Sequence, residues 1–156
     1  MSASQVIQAI LAPAIMISSC GLLLLGLQNR YSFIVNRIRL LNEERRRSAK
    51  QLSDGKELEP LENFRYKSVM QQIKELSKRA HNLRNSILLL ITAVLFFVLT
   101  SLLIALFYFY PYQTVELLPL ISFLLGMVSI FIGVALLAKD IITAYRVIKL
   151  EIQVEE

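Results

Sequence analysis

Three stretches of this chain, at about residues 6–27, 86–110 and 117–138, contain no Asp, Glu, Lys, Arg or His. Each holds roughly the ~20 apolar residues that a bilayer core requires of a helix. That feature takes the chain out of the soluble globular class and predicts three transmembrane helices. Composition agrees: 55% of the 156 residues are hydrophobic, and the mean hydropathy is +0.55. The net charge of +5 is confined to the segments between and after the apolar blocks. Basic charge placed beside a span sets topology and meets anionic headgroups before it suggests nucleic acid. The run Glu43-Glu44-Arg45-Arg46-Arg47 mixes signs and has no aromatic platform beside it, so nucleic-acid binding is not expected.

Lys and Arg distribution sets the orientation. Fourteen of the 17 lie within residues 28–85, and the other three, Lys139, Arg146 and Lys149, follow the third span. None lies before the first span or within 111–116. The positive-inside rule then puts the central segment and the C-terminus in the cytoplasm, and the N-terminus outside. The expected layout is a first span within 1–27, a cytoplasmic segment 28–85, a second span 86–110, an outer loop 111–116, a third span 117–138 and an amphipathic cytoplasmic tail 139–156. The aromatic run Phe107-Tyr108-Phe109-Tyr110-Pro111-Tyr112 falls at the outer interface, where half-wet tyrosines are favoured.

The central segment reads as a helical hairpin. No Gly or Pro lies between Leu27 and Ser53 or between Leu61 and Tyr110, while SDGKELEP at 53–60 is a strong turn signal. Pro60 suits the first turn of the following helix. In the first arm Tyr31, Ile34, Ile38 and Leu41 step by helical intervals. In the second, Tyr66, Val69, Ile73, Leu76, Ala80, Leu83 and Ile87 form an a/d seam that leads into the second span. The fold expected is therefore all-α: an integral membrane protein of three transmembrane helices with a long cytoplasmic antiparallel helical hairpin, of coiled-coil type, between the first and second. At 1.5 Å per residue, ~25 residues of arm project roughly 35–40 Å. Such a hairpin buries little surface by itself. The seam is expected to meet neighbouring subunits, a cytoplasmic protein partner or the tail, where Ile141, Ile142, Tyr145, Ile148 and Ile152 share a face.

Candidate sites are sparse. Ser122, Gly126, Ser129 and Gly133 step by 4, 3 and 4 along the third span, a small-residue face suited to close helix packing or to lining a pore. Gln28, Asn29, Arg30 and Tyr31, followed by Arg37 and Arg39, mark the inner membrane boundary. No ionisable side chain sits inside a span, which argues against a proton relay or ion-coupled transport. The membrane hydroxyls Ser18, Ser19, Thr92, Thr100, Ser101, Ser122 and Ser129 can bond helix backbone. Cys20 is the only cysteine, so no internal disulfide forms. Ile17-Ser18-Ser19-Cys20 has the look of a lipoprotein box, but no basic residue precedes it and the chain stays apolar after it. His81 stands alone in a charged arm. No grouping expected of a catalytic, cofactor or metal site is present.

Ala12-Pro13-Ala14, Gly21 with its leucine run, Gln28-Asn29-Arg30-Tyr31, Arg37-Ile38-Arg39 and Leu41-Asn42-Glu43 resemble an uncharacterised family of small bacterial membrane proteins, domain of unknown function 2721. The resemblance extends over most of the chain. It implies a multi-pass protein of the bacterial inner (plasma) membrane and no particular activity. In topology alone the chain also resembles the proton-channel subunits of biopolymer-transport and flagellar-stator complexes. That likeness implies a homo-oligomer, but the acidic residue of such channels is missing from the third span. The functional expectation is a non-enzymatic, homo-oligomeric scaffold or assembly factor. An oligomeric ion channel or transporter subunit is the alternative.

Overall fold

The structure, a computed structural model, describes the backbone of residues 3–53, 60–109 and 117–154 and the side chains of residues 4–47, 64–107 and 117–142. It contains three α-helices: α1, Ala3–Ser53, of 51 residues; α2, Pro60–Phe109, of 50 residues; and α3, Leu118–Val154, of 37 residues. No strand occurs among the described residues. The expected turn at 53–60, the 111–116 loop, the aromatic run beyond Phe107 and the tail side chains at 145, 148 and 152 fall outside the described residues or side chains.

Continuity follows from composition. A helix satisfies every interior backbone N–H and C=O within itself, the condition lipid imposes. Through the charged segments nothing in the sequence interrupts it. α1 and α2 each extend about 75 Å at 1.5 Å per residue, more than twice the ~30 Å of a hydrocarbon core. α1 continues well past the end of its apolar stretch, and α2 begins well before the start of its own. α2 begins at Pro60, whose missing N–H costs nothing in a first turn. α3 starts as the Ile121 N–H donates to the Leu117 carbonyl at 2.9 Å, and it passes Ala138 without a break.

α2 is the central element, packed by α1 on one side and α3 on the other. Cys20 of α1 packs with Ala93 and Phe97 of α2, Leu27 with Leu83 and Leu90, and Glu44 pairs with Arg65. As the number rises along α1, that of its partner in α2 falls. The same holds for Ser122 with Phe96 and Ser129 with Leu89. The core is narrow. Phe97, Ala93, Leu90 and Leu83 of α2 are almost wholly buried, with Met16, Ile17, Leu24 and Tyr31 from α1 and Phe123, Ile130 and Leu137 from α3 around them.

The remaining apolar surface points outward. Leu22 and Phe131 are each 75% exposed, and only 17%, 22% and 22% of the most apolar windows of α1, α2 and α3 are buried. Water would penalise such a surface at roughly 25 cal/mol per Å². Lipid does not, so the bilayer is the solvent in which this fold makes sense.

Candidate functional site

The small-residue face of α3 meets α2. Ser122, Gly126, Ser129 and Gly133 are all buried. The Ser129 hydroxyl donates to the Leu89 carbonyl at 2.7 Å, and the Ser122 hydroxyl donates to the Phe96 carbonyl at 3.0 Å. Phe96 O also accepts from the Thr100 hydroxyl of its own helix at 2.8 Å, so one carbonyl is shared between hydroxyls of α2 and α3. Between the two serines, Gly126 admits the Phe97 ring. A Cβ at 126 would stand 2.8 Å from Phe97 Cε1, whereas one at 133 would find Leu89 Cβ at an ordinary 3.4 Å. Phe97 in turn packs on Phe123, ring centroids 5.4 Å apart and tilted by 55°. Glycine at 126 is thus the condition for seating an aromatic ring against a helix backbone.

The other membrane hydroxyls bond their own helices. Ser18 donates to Ala14 O, Ser19 to Ile15 O, Ser86 to Asn82 O, Thr92 to Leu88 O and Ser101 to Phe97 O, at 2.9–3.3 Å. These are the four-residue back-bonds that let Ser and Thr sit in lipid without a distant partner. Cys20 is buried in the core beside Ala93 and Phe97 as a small apolar side chain.

At the boundary motif, Gln28, Asn29 and Arg30 are exposed. Tyr31 is half-buried against the cluster of Leu27, Leu83 and Leu90, and Arg37 and Arg39 are exposed further along. The motif residues therefore divide: Tyr31 continues the packed stripe, and the polar ones face outward. Beyond the apolar stretch, Ile34, Ile38, Val69, Ile73, Leu76 and Ala80 are buried or half-buried. Arg65 Nη2 lies 2.6 Å from Glu44 Oε1 and ties the two helices near the far end of the described side chains.

An apolar cavity of about 450 Å³ opens where the start of α1, the end of α2 and the start of α3 converge, lined in part by Ala9, Pro13, Thr100, Ile104, Pro119 and Phe123. Sequence reasoning did not anticipate it. The signal was Pro13, which is buried inside α1 and has no N–H to offer the Ala9 carbonyl. Among the described residues no group of three His, Cys, Asp or Glu side chains is placed to hold a metal ion.

Three helices, each long and apolar enough to cross a bilayer, define an all-helical multi-pass membrane protein. The family model described as "Protein of unknown function (DUF2721)" matches residues 10–150, and the chain belongs to that family. No curated protein and no solved structure matches the chain.

Proposed function

We propose that the protein is a non-enzymatic, homo-oligomeric scaffold or assembly factor of the bacterial inner membrane, presenting an antiparallel helical stalk to the cytoplasm. The observation that carries this reading is the length of α1 and α2, 51 and 50 residues in unbroken helix, which outlasts any bilayer. A rigid projection of about 25 residues per arm has a use at a distance from the membrane. The pairing of Glu44 with Arg65 supports the hairpin, and the basic count of 28–85 supports its cytoplasmic side. Leu40, 60% exposed on the extension, and Phe64, 74% exposed, are apolar surface left for a second copy or a partner protein. The channel reading draws no support from Ser122, Gly126, Ser129 and Gly133, whose hydroxyls and open backbone are taken up against α2 of the same chain.

The test is affinity purification of the full chain beside a version with residues 45–70 shortened. The scaffold reading expects partners to be lost on shortening while the membrane core remains folded. Recovery of the same partners would sink it. Ion flux from proteoliposomes holding only this protein, above that of empty vesicles, would move the assignment to a channel.

A further inference from the structure

Below the apolar part of α2 lies a groove that the scaffold reading does not use. Its volume is about 800 Å³, and it is lined by Met70, Gln71, Ile73, Lys74, Ser77, Lys78 and His81 of α2 together with Arg45 of α1. The α2 positions recur at intervals of three and four, so one helix face supplies two lysines, a histidine, an amide and a hydroxyl. Among the described residues no Asp or Glu belongs to the lining.

Arg45 is the informative member. It is half-buried, and its Nη1 lies 3.9 Å from Met70 Sδ, a thioether that accepts hydrogen bonds only weakly. The adjacent Glu44 is engaged with Arg65. A half-buried guanidinium is thus held across the groove, and among the described residues no carboxylate lines that groove. Lys74 and Lys78 stand four apart on the same face, a like-charge spacing that weakens a helix. A multivalent anion would relieve both defects together.

The geometry points to a binding site for a phosphate-bearing ligand, with Arg45, Lys74 and Lys78 as the charge contacts and Ser77, Gln71 and His81 as further polar contacts. Phosphate is favoured over a single carboxylate because three cations line the groove, Arg45 from α1 and Lys74 and Lys78 from α2, which suits several anionic oxygens. Two sources share that chemistry. His81 lies five residues from Ser86, about 7–8 Å along α2, near headgroup depth. Lys74 and Arg45 lie further out, within reach of a soluble polyphosphate. An acidic phospholipid enters from the membrane end, and a free polyphosphate enters from the water end.

The experiment uses the full chain in nanodiscs, with three proteins: unaltered, Lys74→Gln/Lys78→Gln, and Arg37→Gln as a control that removes an exposed charge elsewhere on the extension. Inorganic tripolyphosphate is titrated against each in zwitterionic nanodiscs. In parallel, retention of phosphatidic acid over phosphatidylcholine is read by native mass spectrometry. Because Lys74 and Lys78 are exposed, the double variant keeps its fold, and helix content by circular dichroism verifies that. The proposal expects the double variant to weaken one of the two probes by about tenfold or more, the scale of losing charge-assisted hydrogen bonds. Arg37→Gln should change it less than twofold by the same scale. Loss confined to tripolyphosphate identifies a soluble source, and loss confined to phosphatidic acid identifies the headgroup. Absence of binding to both probes overturns the site, as does undiminished binding by the double variant or an equal loss in the control.

Discussion

The two helix seams of this molecule are built differently. Where α3 meets α2 the contact is made by Ser122, Gly126, Ser129 and Gly133, with hydroxyls donated across to Phe96 and Leu89. Where α1 meets α2 it is made largely by Cys20, Leu27, Tyr31, Ile34 and Leu41 against Val69, Leu83, Leu90 and Phe97, and it ends in the Glu44–Arg65 ion pair. Their surroundings account for the difference. Between helices in lipid, burying a leucine gains little, because lipid is as apolar as leucine. Close approach and interhelical hydrogen bonds do the work there. Along the proposed stalk, where Tyr31, Ile34, Leu41 and Val69 lie, water would make apolar burial favourable again, and there larger side chains keep the spacing of a packed helical pair.

Several substitutions would break or sharpen that contrast. Phe97→Ala should have the largest effect, because its ring touches both seams. We expect a loss of about 2–4 kcal/mol in unfolding free energy in bilayers. That is the low side of the range seen in water, since lipid supplies part of the transfer term. Gly126→Ala should follow at about 1–2 kcal/mol, because the ring it meets is enclosed and cannot swing clear. Gly133→Ala at the same seam should stay within about 0.5 kcal/mol, as should Gly21→Ala and Gly26→Ala, whose Cβ atoms would enter open space. An equal response at 126 and 133 would refute the role given to Phe97. Ser129→Ala should cost about 0.6–1.7 kcal/mol, the range of interhelical hydrogen bonds in membranes. Steric-trapping measurements of unfolding can resolve all of these. Smallest is Glu44→Gln. The pair is 36% and 76% exposed, so no more than about 0.5 kcal/mol is expected, and that should vanish as salt is raised.

Much of this was legible from sequence, and the reason is periodicity. Tyr31, Ile34, Ile38 and Leu41 on one arm, and Tyr66, Val69, Ile73, Leu76, Ala80, Leu83 and Ile87 on the other, are each buried or half-buried. In the charged arms polar residues mark the exposed face, so the apolar spacing identifies the packed one. The four small residues of α3 stand out for the same reason, as a minority pattern on an apolar background. Phe97 and Cys20 were not legible as core positions. The stretch SILLLITAVLFFVLTSLLIALFYFY is apolar on every side, so nothing in it separates a lipid-facing leucine from a buried phenylalanine. The cross-helix bonds of Ser122 and Ser129 were also hidden. A serine in lipid can back-bond its own helix equally well, as Ser18 and Ser19 do. The basic groove escaped notice because its cations come from helices some thirty residues apart in sequence, and each alone reads as a solvated charge.

The central claim is that α1 and α2 leave the bilayer together and remain paired within one chain. The direct measurement places cysteines at positions 44 and 65 in a Cys20→Ala background and treats the protein in intact membranes with a short bismaleimide. The account predicts a 44–65 linked peptide by mass spectrometry within a species that still migrates as a single chain. Links formed only between chains, or none while both thiols remain reactive to monofunctional maleimide, would contradict it.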